Sequence, residues 1–285
     1  MGSQLATRRN APCPCGSGRR FKHCCGKTPA GIERFPVEPL TMMMTPAVAT
    51  ALYSQCNGKK RVDHQGVLTI EGFLSESECE RLVALSADQP SEQARVRMAD
   101  ETAAGGIVSR DSAVRITSTI KTFGIAEQIV PLVGRAFFDC VQPHFDTRIQ
   151  WFEFPDILKY VPGGHYGTHN DSQVWDEQAD GWRLVEDRQY SLLIYLNSEF
   201  TGGALRFDDL ELTIQPKAGM LVAFPSDHRY AHTALPVESG TRYAIVSWGA
   251  AVGAPRVHQG ATLGVVYTAP EFIPPRLRGL RSQDS

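Results

Sequence analysis

The alternation of hydrophobic and polar positions divides the chain into a helical stretch followed by a β-rich one. Residues 67–70, Val-Leu-Thr-Ile, are a short apolar run of strand character. Ser75-Glu-Ser-Glu78 has the form of a capping box, in which Ser75 and Glu78 exchange side-chain and backbone hydrogen bonds. It predicts a helix through about residue 87, with Cys79, Leu82, Val83 and Leu85 on or near the apolar face. Residues 91–116 are polar, contain Gly105-Gly106, and read as a loop. Apolar residues then recur at helical spacing over 125–141 (Ile129, Leu132, Val133, Ala136, Phe137, Cys140), and Pro131 within them predicts a kink or a later start. After Ile149 the chain consists of short runs rich in Val, Ile, Phe, Tyr and Trp, broken by Gly and Pro, which is β character. There is no internal repeat.

The flanks follow other patterns. Pro29, Pro36, Pro39 and Pro46 make residues 29–62 a linker with a short helix near 47–55, and Met42-Met43-Met44 is read as packing on the next domain. Residues 253–285, with Pro274-Pro275 and Arg276, Arg278 and Arg281, read as a weakly structured basic tail. The composition is that of a globular protein, 42% hydrophobic and 21% charged over 285 residues. A formal net charge of −2 gives no general attraction to nucleic acid or membrane. No apolar stretch is long enough to span a bilayer, and the N-terminus lacks a signal-peptide core. Of seven cysteines, four fall between Cys13 and Cys25, which reads as a metal site in a reducing compartment. The expected location is the cytoplasm.

That cluster, Cys13-Pro-Cys15-Gly-Ser-Gly with a closing Cys24-Cys25, brings two cysteine pairs together across a turn. Four soft thiolates in a tetrahedron favour structural Zn(II), and His23 is a bystander. The stretch resembles the SEC-C motif at the C-terminus of the SecA translocation ATPase. The resemblance implies a docking role toward a ribosome or secretion-type protein, and the plainer alternative is a zinc-stapled cap without a partner. Up to Lys27 the segment carries six Lys/Arg and no Asp/Glu, so a local basic face is the one place where RNA contact is conceivable.

Candidate chemistry centres on residues 160–171, where a turn-rich segment runs into His169-Asn-Asp171. On a strand, residues i and i+2 share a face, so His169 and Asp171 can aim an imidazole and a carboxylate at one point. One distal His completes a two-His-one-carboxylate triad of the non-haem Fe(II) type, which leaves coordination positions open. His232 and His228 compete for that place, with His144 and His165 nearby in sequence.

The ordered set Tyr160-Val-Pro-Gly, His169-Asn-Asp171, Tyr195-Leu-Asn, Gly202-Gly203, Phe224-Pro-Ser, His232 and Arg242 resembles the 2-oxoglutarate/Fe(II) dioxygenases of the prolyl 4-hydroxylase type. It covers residues 65–250. The resemblance implies a double-stranded β-helix (jelly-roll) core at residues 63–252, mostly β with flanking helices, preceded by the zinc knuckle at 7–28. It implies His169, Asp171 and His232 as catalytic iron ligands, because His232 precedes Pro236-Val237 and lies ten residues before Arg242. It implies Arg242 as anchor of the far carboxylate of 2-oxoglutarate, Tyr160 and Tyr195 as hydroxyls lining that pocket, and Trp248 as its wall. A guanidinium suits the anchor because it can hold a carboxylate through two parallel hydrogen bonds.

Fe(II), 2-oxoglutarate and O2 are the cofactors so implied, with ascorbate a candidate reductant. The reaction implied is hydroxylation of an unactivated C–H, with release of succinate and CO2. Asp171 disfavours halogenation, since related halogenases lack the carboxylate ligand. The substrate reading is a protein or peptide side chain, with no membrane partner. A free amino acid or small metabolite is the alternative, and a non-catalytic zinc-knuckle adaptor is the reading from another class. Residues 172–188, with Trp175 and Trp182, read as a polar loop that either closes over the site or packs on the barrel.

Overall fold

The structure, a computed structural model, describes residues 20, 33–35, 41–52, 60–99, 107–110, 113–258 and 262–278. Cys13, Cys15, Cys24 and Cys25 lie outside them, as does most of the 7–28 knuckle. Among the described residues no helix is long and apolar enough to cross a membrane.

The fold is mostly β with flanking helices, a double-stranded β-helix core. A twelve-stranded sheet and a five-stranded sheet enclose the central cavity. In the larger sheet, strand Arg242–Ala251 pairs antiparallel with Asp156–Tyr160, Ile149–Glu153 and Tyr190–Tyr195. Tyr190–Tyr195 continues the order to Leu221–Pro225, Val67–Glu71 and Lys60–His64. The smaller sheet runs Leu212–Ile214, Leu205–Phe207, His232–Ala234, His165–His169 and Arg115–Ile116.

The side chains of Arg242–Ala251 divide by the two-residue period of a strand. Arg242, Ala244, Val246 and Trp248 line the cavity, whereas Ile245 joins the main apolar cluster with the helices. The capping box forms as the sequence implies: Glu78 N donates to Ser75 Oγ (3.3 Å) and Ser75 N to Glu78 Oε2 (2.8 Å), opening helix Glu76–Ser86. Cys79 and Leu82 are fully buried beneath it. The second helical segment begins with a 3-10 turn, Phe123–Ile125, and runs through Ala126–Arg135 and a π-helical stretch, Ala136–Val141, to Gln142–His144. Pro131 sits in the second turn and the helix continues past it.

Four regions depart from the sequence reading. Residues 29–62 are not a simple linker: Glu33–Phe35 and Thr41–Met43 pair with one another, and Thr41–Met43 lies parallel to Val265–Tyr267 in the main sheet. Met42 and Met44 are wholly buried there, and the short helix spans Pro46–Leu52. Residues 91–116 hold short strands at Ser91–Gln93, Val96–Ala99, Ile107–Arg110 and Arg115–Ile116. Within the tail, Val265–Tyr267 also pairs with Ile149–Glu153, and Ile273 and Leu277 are buried against it. The loop at 172–188 is a β-hairpin, Gln173–Asp176 against Gly181–Leu184. The common cause is that strands of two to four residues carry no periodicity of their own, and most take hydrogen-bond partners from other segments.

Candidate active site

His169 ends strand His165–His169, and His232 begins strand His232–Ala234. The two are antiparallel register partners, with ring centroids 4.3 Å apart. Asp171 is not on the strand. The chain bends immediately after His169, where Asn170 Oδ1 accepts hydrogen bonds from Ser172 N (3.3 Å) and Gln173 N (2.7 Å). Asp171 N donates to Ser226 O (3.1 Å), which ties the bend to the neighbouring segment. The carboxylate still reaches the imidazoles: His169 Nε2 lies 3.7 Å from Oδ1, and His232 Nε2 3.9 Å from Oδ2. One ligand atom from each residue lies within 4.8 Å of the others, a spacing that could hold a metal ion.

The imidazoles are aimed by their other nitrogens. His169 Nδ1 bonds Gly167 O (2.8 Å) and His232 Nδ1 bonds Tyr230 O (3.0 Å). A carbonyl can only accept, so each Nδ1 donates its proton there and each Nε2 is turned toward Asp171. Tyr166 stacks on His169 at 3.5 Å between centroids, and Phe207 and Phe224 wall His232. Burial lowers the His169 pKa to about 3, with the adjacent His232 acting in the same direction. Burial works the other way on Asp171, but the two imidazoles, Arg188 and the Ser191 hydroxyl outweigh it and hold the carboxyl at about 2. The trio is therefore a neutral imidazole and a carboxylate beside His232, the protonation that metal ligation requires of these groups.

Several contributors were invisible in the sequence reading. Ser191 Oγ donates to Asp171 Oδ2 (2.6 Å) and also contacts Ser226 Oγ (2.8 Å). Arg188 donates to Asp171 O (3.3 Å), forms a two-pronged pair with Glu153, and lies 3.9 Å over the Trp248 ring. No motif marks these residues, because their partners are brought together only by sheet pairing.

Across the same cavity, of about 210 Å³, Arg242 is 2% exposed. Tyr160 is its register partner, and the guanidinium lies 3.9 Å over the tyrosine ring. Tyr243 N donates to Asn197 Oδ1 (2.9 Å) and Asn197 Nδ2 to Thr241 O (2.7 Å), which pins the start of the arginine's strand. Arg242 Nη1 donates to Gly203 O, but Arg242 Nε and the Tyr195 hydroxyl have no hydrogen-bond partner among the described residues. Burial pushes the Tyr195 phenol up to about 12, against the pull of the Arg242 charge. A buried guanidinium beside an unpartnered hydroxyl is an incomplete anion site.

The competing histidines go elsewhere. His228 Nδ1 bonds Gln173 Oε1 (2.8 Å), His144 pairs with Asp63 (3.2 Å), and His165 bonds Gly163 O and Ala113 O. All four residues expected around the co-substrate (Tyr160, Tyr195, Arg242 and Trp248) line the cavity that holds the two-His-one-Asp trio.

A family model described as the 2OG-Fe(II) oxygenase superfamily matches residues 155–249, and one for the SEC-C motif matches residues 9–27. A putative prolyl 4-hydroxylase of Acanthamoeba polyphaga mimivirus is 30% identical over 126 residues, 38% of this chain and 52% of that protein. The chain thus spans about half the length of this relative. The SecA translocase subunit of Nitratiruptor sp. is 75% identical over 20 residues, 7% of this chain and 2% of that protein. Among solved structures, the viral collagen prolyl hydroxylase of Paramecium Bursaria Chlorella virus-1, in complex with 2OG, aligns at a TM-score of 0.45 and 20% identity. That alignment covers 68% of this chain and 98% of the viral one. The matched span contains the His169, Asp171 and His232 trio, the Arg242 site and the strands that join them; residues 155–249 are thus similar to the 2OG-Fe(II) oxygenase superfamily, whose members include dioxygenases, and residues 9–27 to the SEC-C motif.

Proposed function

We propose that the protein is an Fe(II)- and 2-oxoglutarate-dependent hydroxylase of a protein or peptide side chain, with proline as the first candidate residue. One observation carries this reading: a two-His-one-Asp trio and a buried arginine without a carboxylate partner among the described residues share one small cavity. The donor set fits the metal, because two imidazoles and a carboxylate suit Fe(II) and leave coordination positions open. The arginine fits the co-substrate, whose far carboxylate would receive hydrogen bonds from Arg242 and the Tyr195 hydroxyl.

His169, Asp171 and His232 would hold the iron. Bound there, it supplies the oxidative chemistry, in which 2-oxoglutarate and O2 yield succinate, CO2 and a hydroxylated C–H. The chain's own work is positional. Gly167 O and Tyr230 O hold the imidazoles in the ligating tautomer, Ser191 fixes Asp171, and Arg242 sets how far the co-substrate reaches. Tyr160, under the guanidinium, and Trp248, under Arg188, keep the walls apolar and exclude water. The prolyl hydroxylase names of the relatives favour a proline-bearing polypeptide over a free metabolite.

We place structural Zn(II) on Cys13, Cys15, Cys24 and Cys25, supported by the SEC-C match, and assign the segment a docking role toward the substrate or its carrier. A reducing, cytoplasmic location suits such a thiolate metal site.

The deciding experiment is anaerobic addition of Fe(II) and 2-oxoglutarate while recording the visible spectrum. A weak charge-transfer band in the wild type, lost in His169→Ala and weakened in Arg242→Ala, is expected. Well-folded protein that gives no band and binds neither ligand would sink the hydroxylase reading and favour the adaptor.

A further inference from the structure

His169 is supported from the edge of the smaller sheet. Its strand bulges against His232–Ala234: the register runs from Tyr166 to His169 on one side but only from Ala234 to His232 on the other. A bulge interrupts the ladder and re-aims the side chains beside it. The other flank of the same stretch lies against the short outer strand Arg115–Ile116, with Val114 just before it.

Two routes run from that outer segment to the imidazole. Along the backbone, Gly167 N donates to Val114 O (2.7 Å), and Gly167 O accepts from His169 Nδ1 (2.8 Å). The approach is close, since a Cβ at Gly167 would lie 2.9 Å from Val114 Cγ1. Through the side chains, the Arg115 guanidinium lies 4.6 Å over the ring of Tyr166, its register partner. Tyr166 in turn stacks on His169 at 3.5 Å, with 17° between planes. Cation, phenol and imidazole thus form three successive layers. The Nδ1 bond fixes the imidazole at one atom and leaves its tilt free; the stacked face removes that freedom. For His232, Phe207 and Phe224 do the same.

The arginine is committed to this stack. Its Nη1 donates to Arg95 O (3.3 Å), its Nε has no hydrogen-bond partner among the described residues, and no carboxylate among them pairs with it. Lys121 and Arg188, which line the adjoining cavity with it, are both in ion pairs, with Asp156 and Glu92 and with Glu153 respectively. A guanidinium over an aromatic face is attracted by the ring's quadrupole, more strongly where water is partly excluded.

We propose that Arg115 is a positioning residue of the metal centre: set over Tyr166, it holds that ring on His169 and so fixes the plane in which the imidazole presents Nε2. The proposal rests on the reading of His169 as an iron ligand. Arg115 touches neither metal nor co-substrate in this role and acts only through Tyr166.

The test is calorimetric titration of Mn(II), with 2-oxoglutarate present, into the full chain as wild type, Arg115→Met and Arg115→Lys. Circular dichroism establishes that each is folded, and Arg115→Gln replaces the methionine variant if that one is not. The Kd for Mn(II) is expected to rise about fivefold in Arg115→Met and to stay within about twofold of wild type in Arg115→Lys. Loss of a like charge near a metal would by itself tighten binding, so the expected sign is opposite to that of simple repulsion. An equal or lower Kd in Arg115→Met overturns the proposal. Tyr166→Leu should lose at least as much, and adding Arg115→Met to it should cost nothing further; additive losses would mean a separate role for the arginine and overturn it too. A second measurement needs no metal. In protein with isotope-labelled histidine, the His169 imidazole NMR signals, identified by their loss in His169→Ala, should shift and broaden in Arg115→Met and return in Arg115→Lys. Identical signals in wild type and Arg115→Met overturn the proposal. Wild-type protein that binds no Mn(II) would instead sink the iron-ligand reading, and the NMR comparison then decides the stack by itself.

Discussion

His169 and His232 face one another as register partners across two antiparallel strands, and each is hydrogen-bonded through Nδ1 to a carbonyl two residues earlier in its own chain segment. The same local device is thus used twice, once at a strand's end and once at a strand's start. It leaves both Nε2 atoms aimed at Asp171 before any metal arrives. Asp171 lacks such a device and depends on a distant one, the Ser191 hydroxyl.

Ser191→Ala is therefore expected to weaken metal binding about 10- to 100-fold while leaving the fold intact, as is usual when a hydrogen bond behind a metal ligand is lost. Titration with Mn(II), followed calorimetrically, measures it. Ser191→Thr, which retains a hydroxyl, should recover part of the affinity. An unchanged metal affinity in the alanine variant would show that the bend at Asn170 alone holds Asp171.

Arg242 predicts an unusual separation of stability from binding. Removing a buried charge that has no carboxylate partner among the described residues should cost little, because the desolvation penalty disappears with it. Arg242→Met is expected to melt within a few degrees of wild type. Saturating 2-oxoglutarate should raise the wild-type Tm, by roughly 2.7 kcal/mol of stabilisation at a hundredfold excess over Kd, and leave the variant unmoved. Differential scanning fluorimetry with and without the acid distinguishes the two.

Cys79 is buried under helix Glu76–Ser86, and burial pushes its thiol from 9.0 up to about 12. Native protein should therefore leave this thiol unreactive toward a disulfide reagent at pH 8, with labelling only after denaturation. In the unfolded chain the thiol ionises near 9.0, before it does in the fold. Its contribution to stability is therefore complete below pH 9 and falls away between pH 9 and about 12. Urea unfolding across that window should show a decline that is shallower in Cys79→Ala, where the buried Tyr195 phenol, also pushed up, still contributes above pH 10.

A chain ended after residue 252 should fail to fold, whereas one ended after residue 278 should fold normally. The shorter chain loses strand Val265–Tyr267 together with Ile273 and Leu277, all nearly fully buried. At about 1.5–3 kcal/mol for each buried apolar side chain, these residues together match the whole stability margin of a typical domain. Soluble yield and circular dichroism of the two truncations give the answer, and a folded shorter chain would contradict it.

Local chemistry was legible wherever the signal lay within a few residues. The capping box of Ser75 and Glu78, the burial of Met42 to Met44, the helical spacing through Cys140 and the His169–Asp171 pair all follow from neighbours along the chain. Composition and ordered motifs were sufficient to point to an oxygenase domain and a cysteine knuckle. The ordered motif already favoured His232 over His228; tertiary structure adds what lies across from each, Gln173 for His228 and His169 for His232. It also decided that Asp171 sits on a bend rather than a strand, that Arg188 and Ser191 support it, and that the 41–43 and 265–267 segments belong to the core. The physical reason is the same in each case. A helix satisfies its backbone within its own sequence, but a strand and a buried polar side chain take their partners from chain segments that only the fold brings near.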